Sequence, residues 1–147
     1  MAVISRNCPG WVRQSLEDSC WAAVLESWSR ADPRMPRLRQ QALINQWGEG
    51  TTGKITPVTK IPQITAAYGL RYDVLASGQL APYIRSHLAS SYLFCAYTLP
   101  GSWTHAVLVY RIRDRDVAFM DPDPGRYRVE SLHWMDLQQP FLLMRKP

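Results

Sequence analysis

The stretch Gln14-Ser15-Leu16-Glu17-Asp18-Ser19-Cys20-Trp21-Ala22-Ala23 decides how the rest of the chain is read. It sets a cysteine where a helix begins, directly behind two residues suited to capping, Asp18 and Ser19, with a glutamine six positions upstream. From Ser19 onward, Cys20, Trp21, Val24, Leu25 and Trp28 form one wide apolar stripe of 3.6-residue period, so the helix is expected to bury one side. Pro33 and Pro36 end it. A helix N-terminus offers backbone N–H groups without intrahelical acceptors and a partial positive charge, which together favour a sulfur anion. A small apolar residue opening a buried helix produces the same local pattern, because free cysteines are among the most buried residue types. Groups elsewhere in the chain must separate the two readings.

Working outward, residues 1–17 read as irregular or extended. A second helix is expected over residues 38–47, ending at Gly48, and a third over 59–68, with Pro62 in its first turn and Gly69 as its stop. Residues 70–75 are short and β-like, and residues 78–90 read as a fourth helix. After residue 90 the period changes. Short strands are expected over 91–99, 103–113, 117–121, 126–130 and 141–144, separated by Asp-, Gly- and Pro-marked turns. A helical front part of about 1–90 and an antiparallel β back part of about 91–147 define an α+β class, and 147 residues suit one domain.

The chain carries 17 Lys+Arg against 12 Asp+Glu, a net charge of +5 carried almost wholly by arginine. Its densest basic cluster, Arg30, Arg34, Arg37 and Arg39, lies between the first two helices without any nucleic-acid module and reads as a solvated connection or a contact for an acidic partner. No run approaches a membrane span, and the N-terminus lacks the apolar core of a Sec signal. Neither nucleic acid nor a membrane is therefore expected as a partner, and the chain is expected to be made as a cytoplasmic protein. Cys8, Cys20 and Cys95 are odd in number and widely spaced, which fits neither a disulfide framework nor a zinc site, so no metal and no cofactor are expected.

A cysteine nucleophile needs a base within hydrogen-bond reach and a third group to orient that base. His87 falls within the fourth helix and His133 in a late polar-aromatic segment, and both read as structural or surface residues. His105 opens the strand His105-Ala-Val-Leu-Val-Tyr after the loop Pro100-Gly-Ser-Trp-Thr, a strand-end position both anchored and reachable. Asp121 and Asp123 stand where the next strand runs out. A symmetric two-residue turn at Asp114-Arg115 would place Asp121 on the face opposite His105. An odd-length loop or a bulge brings Asp123 opposite His105 and makes Asp121 a same-face diagonal neighbour, about 7–8 Å away at Cα. Both aspartates stay open on register alone. Gln14, with its side-chain amide beside the Cys20 N–H, would complete a two-donor hole for an oxyanion.

Gln14, Cys20-Trp21, His105 and Asp121, in that order, resemble the site of papain-like cysteine proteases, in which a glutamine six residues before the cysteine serves the oxyanion hole. The segment Ser19-Cys20-Trp21-Ala22-Ala23 is similar to that of compact bacterial papain-like peptidases, including type III effector proteases, and a related group is the bacteriocin leader peptidases. Leader peptidases usually have Gly after the cysteine where this chain has Trp21, papain has Asn as third member, and no counterpart of papain's pro-segment is expected. The resemblance implies a papain-like α+β fold, Cys20 as nucleophile, His105 as base and then acid, Asp121 as orienting carboxylate and Gln14 as oxyanion donor. It implies a protein or peptide substrate, with amide hydrolysis or acyl transfer at the same site as the alternative activity and a non-catalytic binding module as the alternative role. Likeness to effectors adds secretion by a route independent of a signal peptide.

Overall fold

The computed structural model describes residues 3–98, 104–124, 126–138 and 141–147. Its framework is an antiparallel sheet in the order β2 (Arg71–Leu75), β7 (Phe141–Arg145), β3 (Leu93–Thr98), β4 (Thr104–Arg113), β5 (Asp116–Asp121) and β6 (Arg126–Ser131). A short β1 (Val3–Ser5) pairs with the far end of β4 through Val3–Arg113 and Ser5–Arg111. The expected α+β class is therefore what the chain adopts, with two additions. The segment expected to be irregular or extended contributes the short strand β1, and β2 from the front half joins the sheet by pairing with the C-terminal β7.

Helices cover both faces. On one side α1 (Cys20–Ala31), α2 (Gln40–Trp47) and α3 (Pro57–Tyr68) pack a core of Trp21, Leu25, Trp28, Leu43 and Ile64 against Phe94, Leu108 and Met120. On the other side α4 (Leu80–His87) and α5 (Leu132–Asp136) seal Leu80, Ile84 and Met135 over Cys95, Tyr97, Val107 and Phe119. Being covered twice, the central strands read as nearly continuous apolar runs instead of alternating ones, as in Leu93-Phe-Cys-Ala-Tyr97 and Val117-Ala-Phe-Met120. The edges β2 and β6 stay largely exposed.

The first helix departs from its expected one-sided burial. Ten of its twelve residues are buried. The faces away from the sheet carry small or hydroxyl residues that let chain approach closely. The Ser27 hydroxyl donates to the Gly10 carbonyl at 2.6 Å, and Ser29 Oγ accepts the Leu38 N–H at 3.0 Å. The capping expectation also changes. Ser19 is the N-cap residue, but its hydroxyl makes no bond to the helix N–H groups and instead donates to Gln40 Oε1 at 2.9 Å and accepts from the Leu16 N–H at 3.0 Å. Gln40, itself buried, also accepts from the Ser15 N–H and donates to the Arg13 carbonyl, so one side chain ties the approach to α1 onto α2.

Helix α3 begins two residues earlier than expected because Pro57 occupies its first turn, where a missing N–H costs nothing, and this moves Pro62 into the interior. Helix α5 was not anticipated. Ser131 caps it by accepting the Trp134 N–H at 3.0 Å. No helix among the described residues is long and apolar enough to cross a membrane.

Candidate active site

Cys20 is the first residue of α1 and only 7% exposed, in the core cluster that includes Ala96 of β3 and Ala106 of β4. Its N–H lies in the first turn, where backbone donors have no intrahelical acceptor. His105 is the second residue of β4, and Tyr97 lies directly across from it on β3. Its ring is buried, and Nε2 donates to Asp121 Oδ1 at 2.7 Å. Cys20, at the start of α1, acts on the same ring and favours its protonated form. Burial works to lower the imidazole pKa, but the Asp121 bond and the neighbouring Cys20 outweigh it and raise the value from 6.5 to about 9.

The choice between the two aspartates is made by a bulge. The β4–β5 turn has two residues, with Arg113 paired to Asp116 and Asp114 at φ 54°. An uninterrupted ladder from that turn would have put Asp121 on the wrong face. Tyr110 is extra, and the register slips between Val109 and Arg111, so that Leu108 pairs with Met120. Continuing one step sets Asp121 across from Val107, on the face of His105. The Asp121 carboxylate is 1% exposed, whereas Asp123 is exposed and contributes its backbone N–H to Asp121 Oδ1 at 3.0 Å. Burial pushes the Asp121 pKa up, and His105, the Asp123 N–H and Arg128 together pull it below its ordinary value.

Gln14 lies beside this pair through its backbone, whose N–H donates to the Pro122 carbonyl at 3.0 Å. Its side-chain amide, however, is turned toward its own segment, donating to the carbonyls of Leu16 at 3.1 Å and Glu17 at 2.7 Å. The other two histidines stay apart. His87 ends α4 with its ring tilted 58° against that of Tyr83 at 4.5 Å, and His133 is exposed on α5. The loop expected before His105, residues 99–103, lies outside the described residues.

Several residues at the site escaped the sequence reading. Arg128 Nη1 donates to Asp121 Oδ2 at 3.0 Å, and its Nη2 to Glu130 at 2.7 Å. The Tyr97 ring meets His105 edge-on at 5.7 Å and Trp134 at 6.0 Å, and Arg128 lies over Trp134 at 5.2 Å. Strand parity held a signal for Arg128. In Arg126-Tyr-Arg-Val-Glu130 the charged residues alternate onto one face, and the β5–β6 register sets Arg126 opposite Asp121 and Arg128 opposite Phe119. Trp134 and Tyr97 had no such signal, because their approach depends on α5 folding over the sheet.

An antiparallel sheet with a cysteine-bearing helix on one face and the His–Asp pair on two adjacent strands is the papain-like peptidase fold. Among solved structures the chain is similar to the peptidase domain of Streptococcus ComA, a bi-functional ABC transporter involved in a quorum-sensing pathway, with a TM-score of 0.69 and 15% identity over 95% of this chain and 99% of that one. At that identity the likeness is one of fold. No protein-family model and no curated sequence matches the chain.

Proposed function

We propose that the protein is a cysteine peptidase that hydrolyses peptide bonds through an acyl-enzyme at Cys20. The observation that carries this is the position of His105, whose ring bonds a buried carboxylate at 2.7 Å while the Cys20 thiol at the start of α1 acts on that ring to favour its protonated form. A histidine held above its ordinary pKa beside a cysteine favours an imidazolium–thiolate pair, which supplies nucleophile and acid together. In the forward step Cys20 Sγ bonds to the substrate carbonyl carbon, and the carbonyl electron pair moves onto oxygen. The Cys20 N–H and the Gln14 amide stabilise that oxyanion, the latter after turning one hydrogen away from the Leu16 or Glu17 carbonyl. As the C–N bond breaks, the leaving amine takes the proton from His105. Water then attacks the thioester while His105 accepts its proton, releasing the acid and Cys20. Asp121 orients the ring throughout.

A peptide-based electrophile on wild type and Cys20→Ala tests this. Labelling confined to Cys20 and abolished by the substitution is expected. Labelling at Cys20 no faster than at the exposed Cys8 would remove the activated nucleophile and the proposal with it.

A further inference from the structure

We propose that Arg128 is a positioning residue of this site, fixing the Asp121 carboxylate through Oδ2 so that Oδ1 is presented to His105. The inference rests on the reading of Cys20, His105 and Asp121 as the reacting groups. A carboxylate has two oxygens and a free torsion, so a single bond to histidine leaves its orientation loose. Here three donors remove that freedom: His105 Nε2 at 2.7 Å and the Asp123 N–H at 3.0 Å on Oδ1, and Arg128 Nη1 at 3.0 Å on Oδ2. The guanidinium is in turn held by three contacts. Nη2 bonds Glu130 at 2.7 Å, one face lies over Trp134 at 5.2 Å, and Phe119 is 5.5 Å away. Trp134 packs edge-on against Tyr97, and Tyr97 against His105. The contacts thus close a ring running His105, Asp121, Arg128, Trp134, Tyr97 and back to His105, built from β3, β4, β5, β6 and α5. Only a planar fork can serve Asp121 and Glu130 at once while its centre lies over an indole, which is why this position holds arginine and not lysine.

The groups that act on His105 and Asp121 are Cys20 from α1, Tyr97 from β3, the Asp123 N–H beyond β5, and Arg128 with Glu130 from β6. Charge and position therefore predict opposite signs. Deleting a cation with nothing else moving raises the proton affinity of His105. Deleting the clamp lets Asp121 turn, weakens its bond to the ring, and lowers that affinity toward the ordinary value.

The test is an NMR titration of the His105 ring in wild type, Arg128→Gln, Arg128→Lys, Asp121→Asn and the Asp121→Asn/Arg128→Gln double variant, together with the rate at which iodoacetamide alkylates Cys20 at pH 6. Arg128→Gln is expected to lower the His105 titration by about one pH unit and slow alkylation about tenfold, with Arg128→Lys intermediate. In the Asp121→Asn background the arginine change is expected to add nothing, because Arg128 acts through Asp121. A His105 titration unchanged or raised in folded Arg128→Gln overturns the proposal, as does a further drop in the double variant. If Arg128→Gln fails to fold, Arg128→Lys decides, and a wild-type titration there overturns it. Neither readout requires turnover. A wild type whose Cys20 reacts no faster than Cys8 defeats the peptidase reading, while the His105 titration still reports on Arg128.

Discussion

Two groups act on the His105 ring, a carboxylate at the end of a strand that it bonds at 2.7 Å and a thiol at the start of a helix that favours its protonated form. Asp121 and Asp123 differ at this scale by burial and not by chemistry. Asp123 supplies a backbone N–H that any side chain would leave in place, so Asp123→Ala is expected to keep near-wild-type turnover. Asp121→Ala is expected to lose about 10²–10⁴-fold, comparable with the contribution of acid–base catalysis itself. Peptide hydrolysis by the two variants checks this, and equal losses would contradict it. Stability follows the same contacts. His105 titrates at about 9 in the folded chain against 6.5 ordinarily, so its contribution is fully present below about pH 6.5 and disappears as pH rises through about 9. Asp121, held below 3.8, contributes above that value and loses its contribution as pH falls through its lowered pKa. Urea midpoints of wild type and Asp121→Asn should therefore differ more at pH 6.5 than at pH 10.

At the scale of elements, the Cys20 helix was legible because aromatic and aliphatic residues repeat with the helical period, and the strands because apolar runs end at turn residues. What was hidden depended on contacts between elements. The Tyr110 bulge carries no mark in Val109-Tyr-Arg111, yet it alone decides which aspartate faces His105. Ser19 looked like a cap because capping is local, but Gln40 on another helix claims its hydroxyl. The loop before α3 is a similar case. Gly53 has φ +72°, its carbonyl accepts the Trp21 indole N–H at 2.8 Å, and a Cβ there would lie 3.0 Å from Leu16 Cδ1. Gly50 has φ +63° with nothing within 4 Å of such a Cβ. Gly50→Ala should cost only the backbone term of about 1–2 kcal/mol. Gly53→Ala should cost more and also slow Cys20 alkylation, since Leu16 and Ser19 lead directly into α1. Urea denaturation of both variants, with alkylation rates, checks the ordering.

Across the whole molecule the three cysteines occupy three different depths, and this makes the fold readable by chemistry. Cys8 is exposed near the N-terminus, Cys20 is 7% exposed at the site, and Cys95 is fully buried in β3 between β4 and β7. The order of strands could not be foreseen in the sequence, because β7 inserts between β2 and β3 from the far end of the chain and no local pattern announces a partner that distant. That insertion is what places Cys95 in the interior, flanked on both edges and roofed on its own face by α4 and α5. Burial pushes its thiol up to about 12, so two barriers, access and ionisation, oppose its reaction in the folded state. A residue in a central strand opens only when the sheet itself opens, so its labelling follows global unfolding, whereas a site at a helix start needs no such event. Iodoacetamide labelling followed by mass spectrometry across a urea series should show Cys20 modified in native protein and Cys95 only through the unfolding transition, at the midpoint seen by circular dichroism. Modification of Cys95 well below that midpoint would mean that β3 detaches from β4 or β7 before the rest of the fold.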